Sequence, residues 1–202
     1  MFGYIATPFN LSAACSQEFM CHKICASPDE LQALQASLKV THCPHCKKVG
    51  FLIRHGFLRG YDESQTSQKS IRAARVYCSN RNRANGCGKT FSVWIAHKVK
   101  RLFLSAESLA AFLQDTVTSG NKLQAFRKLN TALSDSAPYR IWKRFLCAQT
   151  YIRTALMRFS KPPQLPLKDP AQLTLAHLQV AFKEHPLSSI AAFQVSLQTF
   201  FV

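Results

Sequence analysis

Acidic residues are scarce in this chain, whose 202 residues carry ten Asp and Glu against 26 Lys and Arg, a formal charge of +16. That scarcity argues against chemistry that gathers carboxylates. Two-metal phosphoryl transfer needs several acids around paired Mg²⁺ ions, and beyond residue 100 only Glu107, Asp115, Asp135, Asp169 and Glu184 remain. Glycine is sparse too, at seven residues, and there is no Gly-rich phosphate loop, GxSxG elbow or HExxH pair. A protein that is not an enzyme is expected. No run reaches the roughly 18 consecutive apolar residues of a membrane span. The opening MFGYIATPFN lacks the basic-then-apolar order of a secretory leader, so a cytoplasmic, nucleoid-associated protein with no membrane partner is expected. In a reducing compartment, eight cysteines read as metal ligands rather than disulfides.

The excess positive charge is not spread evenly. Residues 43–160 hold 21 Lys and Arg against five Asp and Glu, while the flanks are balanced. A field of that sign attracts polyanions.

Periodicity and breakers divide the chain. Residues 1–42 form a lead-in with a loop-like opening around Pro8 and Asn10, followed by one helix over about Ser27–Val40, capped by Ser27 or Asp29. Residues 43–100 are β-prone: VGFLIRHGFLRGY suggests two short strands turning at His55-Gly56, and IRAARVYC and KTFSVWI suggest further strands. From Ser105 the pattern is helical. Ser105 caps and Gly120 stops the first helix, Asn121–Leu129 makes the second, and Pro138 opens the third. Leu109, Phe112, Leu113, Leu123, Phe126 and Leu129 are expected as its core. The segment 161–170, KPPQLPLKDP, reads as a proline-rich linker to a separate C-terminal helical pair over 171–202.

Cysteine spacing points to one metal. Cys43-Pro-His-Cys46 is a knuckle that aims two thiolates at a single ion, and Cys78 with Cys87 supplies the other pair, giving a closed tetrahedral Zn²⁺ site. A metal replaces the core that about 55 residues build poorly. Eight residues separate Cys78 from Cys87, where two to four are usual. Cys15, Cys21 and Cys25 read as structural or free thiols, and Cys147 as a buried helical residue.

The order CPHCKKVGFLIRHGF, RVYCSN, CGKTFS resembles the zinc ribbons at the N-termini of bacterial insertion-sequence transposases and their companion proteins, with some similarity to phage Ogr/Delta-type zinc fingers. The resemblance covers residues 42–95 and rests on the two cysteine pairs, Arg54-His55-Gly56, Tyr77 and Thr90-Phe91-Ser92. An insert from Tyr61 to Ser70 and the long second knuckle depart from that pattern. The resemblance implies a ribbon that contacts DNA, and GNKLQAFRKLN resembles the helix-turn-helix segment that follows it.

The expected fold is therefore α+β: a small three-stranded β zinc ribbon over 43–100, a three-helix helix-turn-helix over 101–160, and extra C-terminal helices. In the third helix Arg140, Lys143 and Arg144 fall on one arc, while Ile141, Trp142, Phe145 and Leu146 take the other side. A cationic helix resting on two others is the geometry that enters a major groove, with Tyr139 adding a contact. In the ribbon, Arg54, Arg59, Arg72, Arg75, Arg81, Arg83 and Lys89 are expected to neutralise phosphates, while Phe57, Tyr77 and Phe91 pack the sheet. Double-stranded DNA is the expected partner, with a separate transposase subunit and a homodimer through the C-terminal helices as further partners. An RNA- or ribosome-associated ribbon and a truncated, non-catalytic transposase product are the alternatives.

Overall fold

A computed structural model describes residues 22–63, 67–166 and 168–202. The opening around Pro8 and Asn10, together with Cys15 and Cys21, lies outside the described residues. The fold is mixed α+β, with elements in the order β1 (His22–Cys25), α1 (Pro28–Ala36), β2 (Leu52–Tyr61), β3 (Lys69–Cys78), β4 (Thr90–Ile95), α2 (Ala106–Ser119), α3 (Lys122–Arg127), α4 (Ala137–Leu156), α5 (Pro170–Ala181) and α6 (Ser189–Leu197).

The sheet has four strands rather than three, in the order β1-β4-β3-β2. Strands β2, β3 and β4 form an antiparallel meander. The fourth strand comes from the lead-in, where His22–Cys25 runs parallel to Ser92–Ile95. Four residues are too few to show a period of two, so a strand made by tertiary pairing leaves no local signal. The VGFLIRHGFLRGY segment is also corrected. It forms one long strand in place of a hairpin, and the pairing shifts register between Arg54 and Phe57. Gly56 sits in that bulge with φ at 96°, a conformation that costs a glycine little.

Side chains alternate across the sheet and serve two cores. Ala73 and Trp94, paired across β3 and β4, join the helices. Ala74, Val76, Phe91 and Val93 face the other way, beneath α1 and the metal knuckles, with Leu34, Leu38 and Leu52. Ser27 caps α1 as expected, its hydroxyl accepting from the Glu30 N–H at 3.2 Å.

The helices form where patterning places them. Ser105 caps α2 by accepting from the Ser108 N–H, and Gly120 ends it. Asn121 caps α3, and Pro138 lies in the first turn of α4. Leu109, Phe112, Leu113 and Phe126 are buried, with Leu123 and Leu129 half-buried at the margin. No helix among the described residues is long and apolar enough to cross a membrane.

The C-terminal helices are not a separate pair. Leu175, Leu178, Ile190, Phe193 and Phe201 lie in the same core as Phe112 of α2 and Phe145 of α4. Phe201 stacks on Phe145 with ring centroids 6.2 Å apart. The fully buried Gln194 donates to the Ala96 carbonyl at 2.6 Å and accepts from the Phe201 N–H at 3.3 Å, and the Gln198 side chain brackets Ile24 from both backbone groups. The chain after α4 therefore returns to the same core instead of forming a separate unit.

Candidate metal centre and nucleic-acid interface

Four cysteines converge at one end of the sheet. Cys43 and Cys46 come from the turn between α1 and β2, Cys78 ends β3, and Cys87 precedes β4. Their sulfurs all lie within 4.8 Å of one another. Cys43 Sγ is 3.8 Å from Cys87 Sγ and Cys46 Sγ is 3.7 Å from Cys78 Sγ. Metal–thiolate bonds of about 2.3 Å at tetrahedral angles separate the sulfurs by about 3.8 Å, so the cluster fits a four-coordinate metal site. Both of these short distances run from one knuckle to the other, so a shared ion would tie the two together.

Backbone geometry prepares the knuckles. Lys47 adopts a φ of 62°, and the Cys43 and Lys47–Lys48 backbone closes on itself through Cys43 N–H to Lys48 O and Lys47 N–H to Cys43 O, both 2.9 Å. In the second knuckle the eight intervening residues are looped out. Gly86 N–H donates to Ser79 O, Gly88 N–H to Cys78 O and Cys78 N–H to Lys89 O, each at 2.9 Å. Strand-like pairing therefore continues to the cysteines, and the excess residues form the tip, where Asn82 and Arg83 both take left-handed φ values of 52° and 63°. The Cys87 N–H donates to Cys78 Sγ at 3.3 Å. Lys48 bridges the knuckles by donating to the Asn85 carbonyl at 2.8 Å.

Gly86 is fixed by this closure, since a Cβ there would run into the Ser79 carbonyl, a backbone group that cannot swing away. Gly86→Ala should move Cys87 off the tetrahedron and weaken metal retention by about tenfold or more, the scale of damage to a ligand's supporting shell. Chelator competition measures it, and unchanged retention would mean that the tip relaxes without displacing the ligand.

Before an ion binds, the thiols differ. Burial raises Cys43 and pushes Cys78 up to about 12, whereas a backbone hydrogen bond from Lys48 brings Cys46 down to about 7. Burial also raises Cys25 to about 11. It lies in the core beside the knuckles but outside the sulfur cluster, as a structural thiol. His45 is exposed and outside the cluster as well.

The basic residues separate into two groups. Arg54, Arg59, Arg81, Arg83 and Lys89 are exposed on the ribbon, and Tyr139, Arg140, Lys143 and Arg144 are exposed on α4. Arg75 is half-buried and donates to the Thr90 hydroxyl at 3.3 Å. Arg72 turns inward, contrary to expectation. It is buried, and its guanidinium donates to the Tyr61 and Val99 carbonyls at 2.7 and 2.8 Å, so it holds the end of β2 to the loop leaving β4. Its position on a basic strand resembles that of its neighbours, and the register shift between Leu58 and Arg59, which leaves Arg72 unmatched on β3, tells it apart.

Three other expectations change. Leu146 and Cys147, assigned to the packed side of α4, are exposed. Tyr77 and Phe91 pack as expected, but Phe57 is 52% exposed. His55 approaches the Tyr77 ring with centroids 5.3 Å apart, and the Arg81 guanidinium lies 5.4 Å from the centroid of the same ring. The ribbon surface thus carries a cation and two rings in one group that sequence reading did not assemble. Among the described residues, ion pairs form at Lys98–Asp62, Arg127–Asp135 and Lys128–Asp115, and none draws on the exposed cations of the ribbon or of α4.

Fold and site together define a class: an α+β protein in which a four-cysteine metal site closes one end of a sheet and a helical bundle buries the other face. No protein-family model, curated protein or solved structure matches the chain.

Proposed function

We propose that this chain is a Zn²⁺-stabilised protein that binds double-stranded DNA, with the ribbon positioning the duplex and α4 meeting its groove. The observation that carries the reading is that eight exposed Arg and Lys residues, Arg54, Arg59, Arg81, Arg83, Lys89, Arg140, Lys143 and Arg144, stay clear of the chain's few acids. Cations that no carboxylate neutralises are suited to phosphates. Zn²⁺ is the ion suited to four thiolates in a closed tetrahedron, and with no open coordination position it supports structure rather than activating water. A binding role without catalysis agrees with the dispersed acids.

In this reading α3 and α4 serve as a helix-turn-helix, α2 and α3 backing α4 while Arg140, Lys143 and Arg144 face outward. A mobile-element regulator or the DNA-recognition part of a transposition system is the role that the ribbon resemblance favours. Pairing of two subunits would use the outer sides of α5 and α6, where Val180 is exposed.

The test is binding of the metal-loaded chain to duplex DNA and to RNA over a salt series. The Arg140→Ala/Arg144→Ala variant should bind duplex about ten- to a hundredfold more weakly, and its log–log salt slope should be shallower by about two, near 0.9 for each lost phosphate contact. Tighter binding to RNA, or no loss in the variant, would overturn the reading.

A further inference from the structure

The flank of α4 that bears Arg140, Lys143 and Arg144 is also one wall of a groove of about 730 Å³, faced by Arg101 and Phe103 from the loop before α2. Its floor is apolar, built from residues that include Leu102, Leu133 and Ile141, and no Asp or Glu lines it. A concavity of this size falls in the range of roughly 300–1,000 Å³ that holds organic ligands. Arg144 is already positioned there, donating from Nη1 to the Arg101 carbonyl at 3.0 Å, so less side-chain freedom is lost when an anion arrives.

Duplex DNA matches only half of this surface. Its outer face offers phosphates to the four cations, but its bases are stacked and paired inside and cannot reach an apolar floor. Unpaired nucleotides offer both, a flat apolar body and an outboard negative charge. A second observation extends the match. Phe103 is 43% exposed and Tyr61, at the end of β2, is 38% exposed. Their rings meet edge-on with centroids 6.2 Å apart, and the Lys69 ammonium lies 5.7 Å from the Tyr61 ring. Two exposed rings and a cation therefore lead from the ribbon to the groove, an alternation of stacking platform and positive charge suited to a single strand.

Resting on the duplex-DNA reading, we propose that the groove takes an unpaired stretch of DNA strand continuous with the bound duplex. Bases lie on the apolar floor and against Phe103 and Tyr61, Arg101 meets the first unpaired phosphates, and Arg140, Lys143 and Arg144 keep the phosphates on the duplex side of the junction. The protein then prefers a duplex end or junction to an uninterrupted duplex.

The experiment compares a blunt duplex with the same duplex carrying a single-stranded tail of about eight nucleotides, within the span of known strand-binding surfaces. Both are titrated by fluorescence anisotropy against the metal-loaded full chain. The tail should raise affinity about tenfold or more, and Phe103→Ala should remove most of that gain by deleting a stacking ring. Cys147→Trp, an exposed position lining the groove, should remove it by filling the space, and Phe103→Ala should leave blunt-duplex affinity unchanged. Equal binding of blunt and tailed duplexes would overturn this proposal and leave the duplex reading standing, whereas binding of neither would overturn both. A gain that survives both variants would place the strand elsewhere. Displacement of the tail by an equimolar free nucleoside triphosphate would reassign the groove to a small ligand.

Discussion

Removing the metal, or replacing Cys78 with serine, is expected to dissolve the smaller of the two cores while the helical half stays folded. That core is thin: Cys25, Leu34, Leu38, Leu52, Ala74, Val76, Phe91 and Val93, with the ligands Cys43 and Cys78 themselves among the buried residues. So few side chains do not sustain a fold without a staple. Structural Zn²⁺ sites supply apparent binding energies of about 10–16 kcal/mol near neutral pH, which become folding energy where no site exists in the unfolded chain. The helical core keeps Phe112, Phe145, Phe193 and the rest of its apolar residues whatever the knuckles do. Hydrogen exchange before and after chelation should show protection lost at the Cys43 knuckle, in β2 and around Cys87, and retained in α2, α4 and α6. Equal protection throughout would mean that the sheet needs no metal.

The sign of the pH dependence follows from the thiols. Ligands bind as thiolates, and a thiol of ordinary pKa, about 8.5, is protonated at neutral pH in an unfolded segment, while burial raises Cys43 and Cys78 further wherever the fold persists. Binding must expel those protons, so affinity falls as pH falls. With two or more protons displaced, the fall is about a hundredfold or more per pH unit.

Deleting residues 161–202 should cost more still, because it leaves no folded helical half. The deleted segment contributes Ala171, Leu175, Leu178, Phe182, Ile190, Ala191, Ala192, Phe193 and Phe201 to the core. Burial of a Leu, Ile or Phe side chain is worth about 1.5–3 kcal/mol, and a domain's whole net stability is about 5–15 kcal/mol. The truncated chain would also expose Phe145 and lose the Gln194 bonds to Ala96 and Phe201. An aggregated or non-cooperatively melting product is expected from calorimetry and circular dichroism. A truncated chain with a cooperative transition near that of the full protein would restore the linker reading.

Much of this architecture was legible locally. Caps at Ser27, Ser105 and Asn121 and the stop at Gly120 act within one turn of their own residues, so sequence spacing captures them. The four ligands were legible because a metal imposes residue type and spacing together. Arg72, Phe57 and Cys147 were misplaced for one shared reason. Each sits in a pattern that periodicity assigns to a face, and a bulge, an uncovered sheet edge and an open groove reassign it. The cation-and-ring groups at Tyr77 and at Phe103 draw members from separate strands and loops, and no local pattern joins them.

By itself the sequence determined the positive field, the tetrad of thiols, the helices with their caps, and the β character of the segment between the knuckles, since composition, ligand spacing and short-range periodicity are local quantities. Only the tertiary structure decided that the lead-in supplies a fourth strand, that the last helices close the core instead of forming a separate pair, and that α4 borders a groove. Those outcomes depend on which distant apolar surfaces find each other. Burial energy settles that choice over the whole chain at once, because it depends on area removed from water and not on order along the sequence.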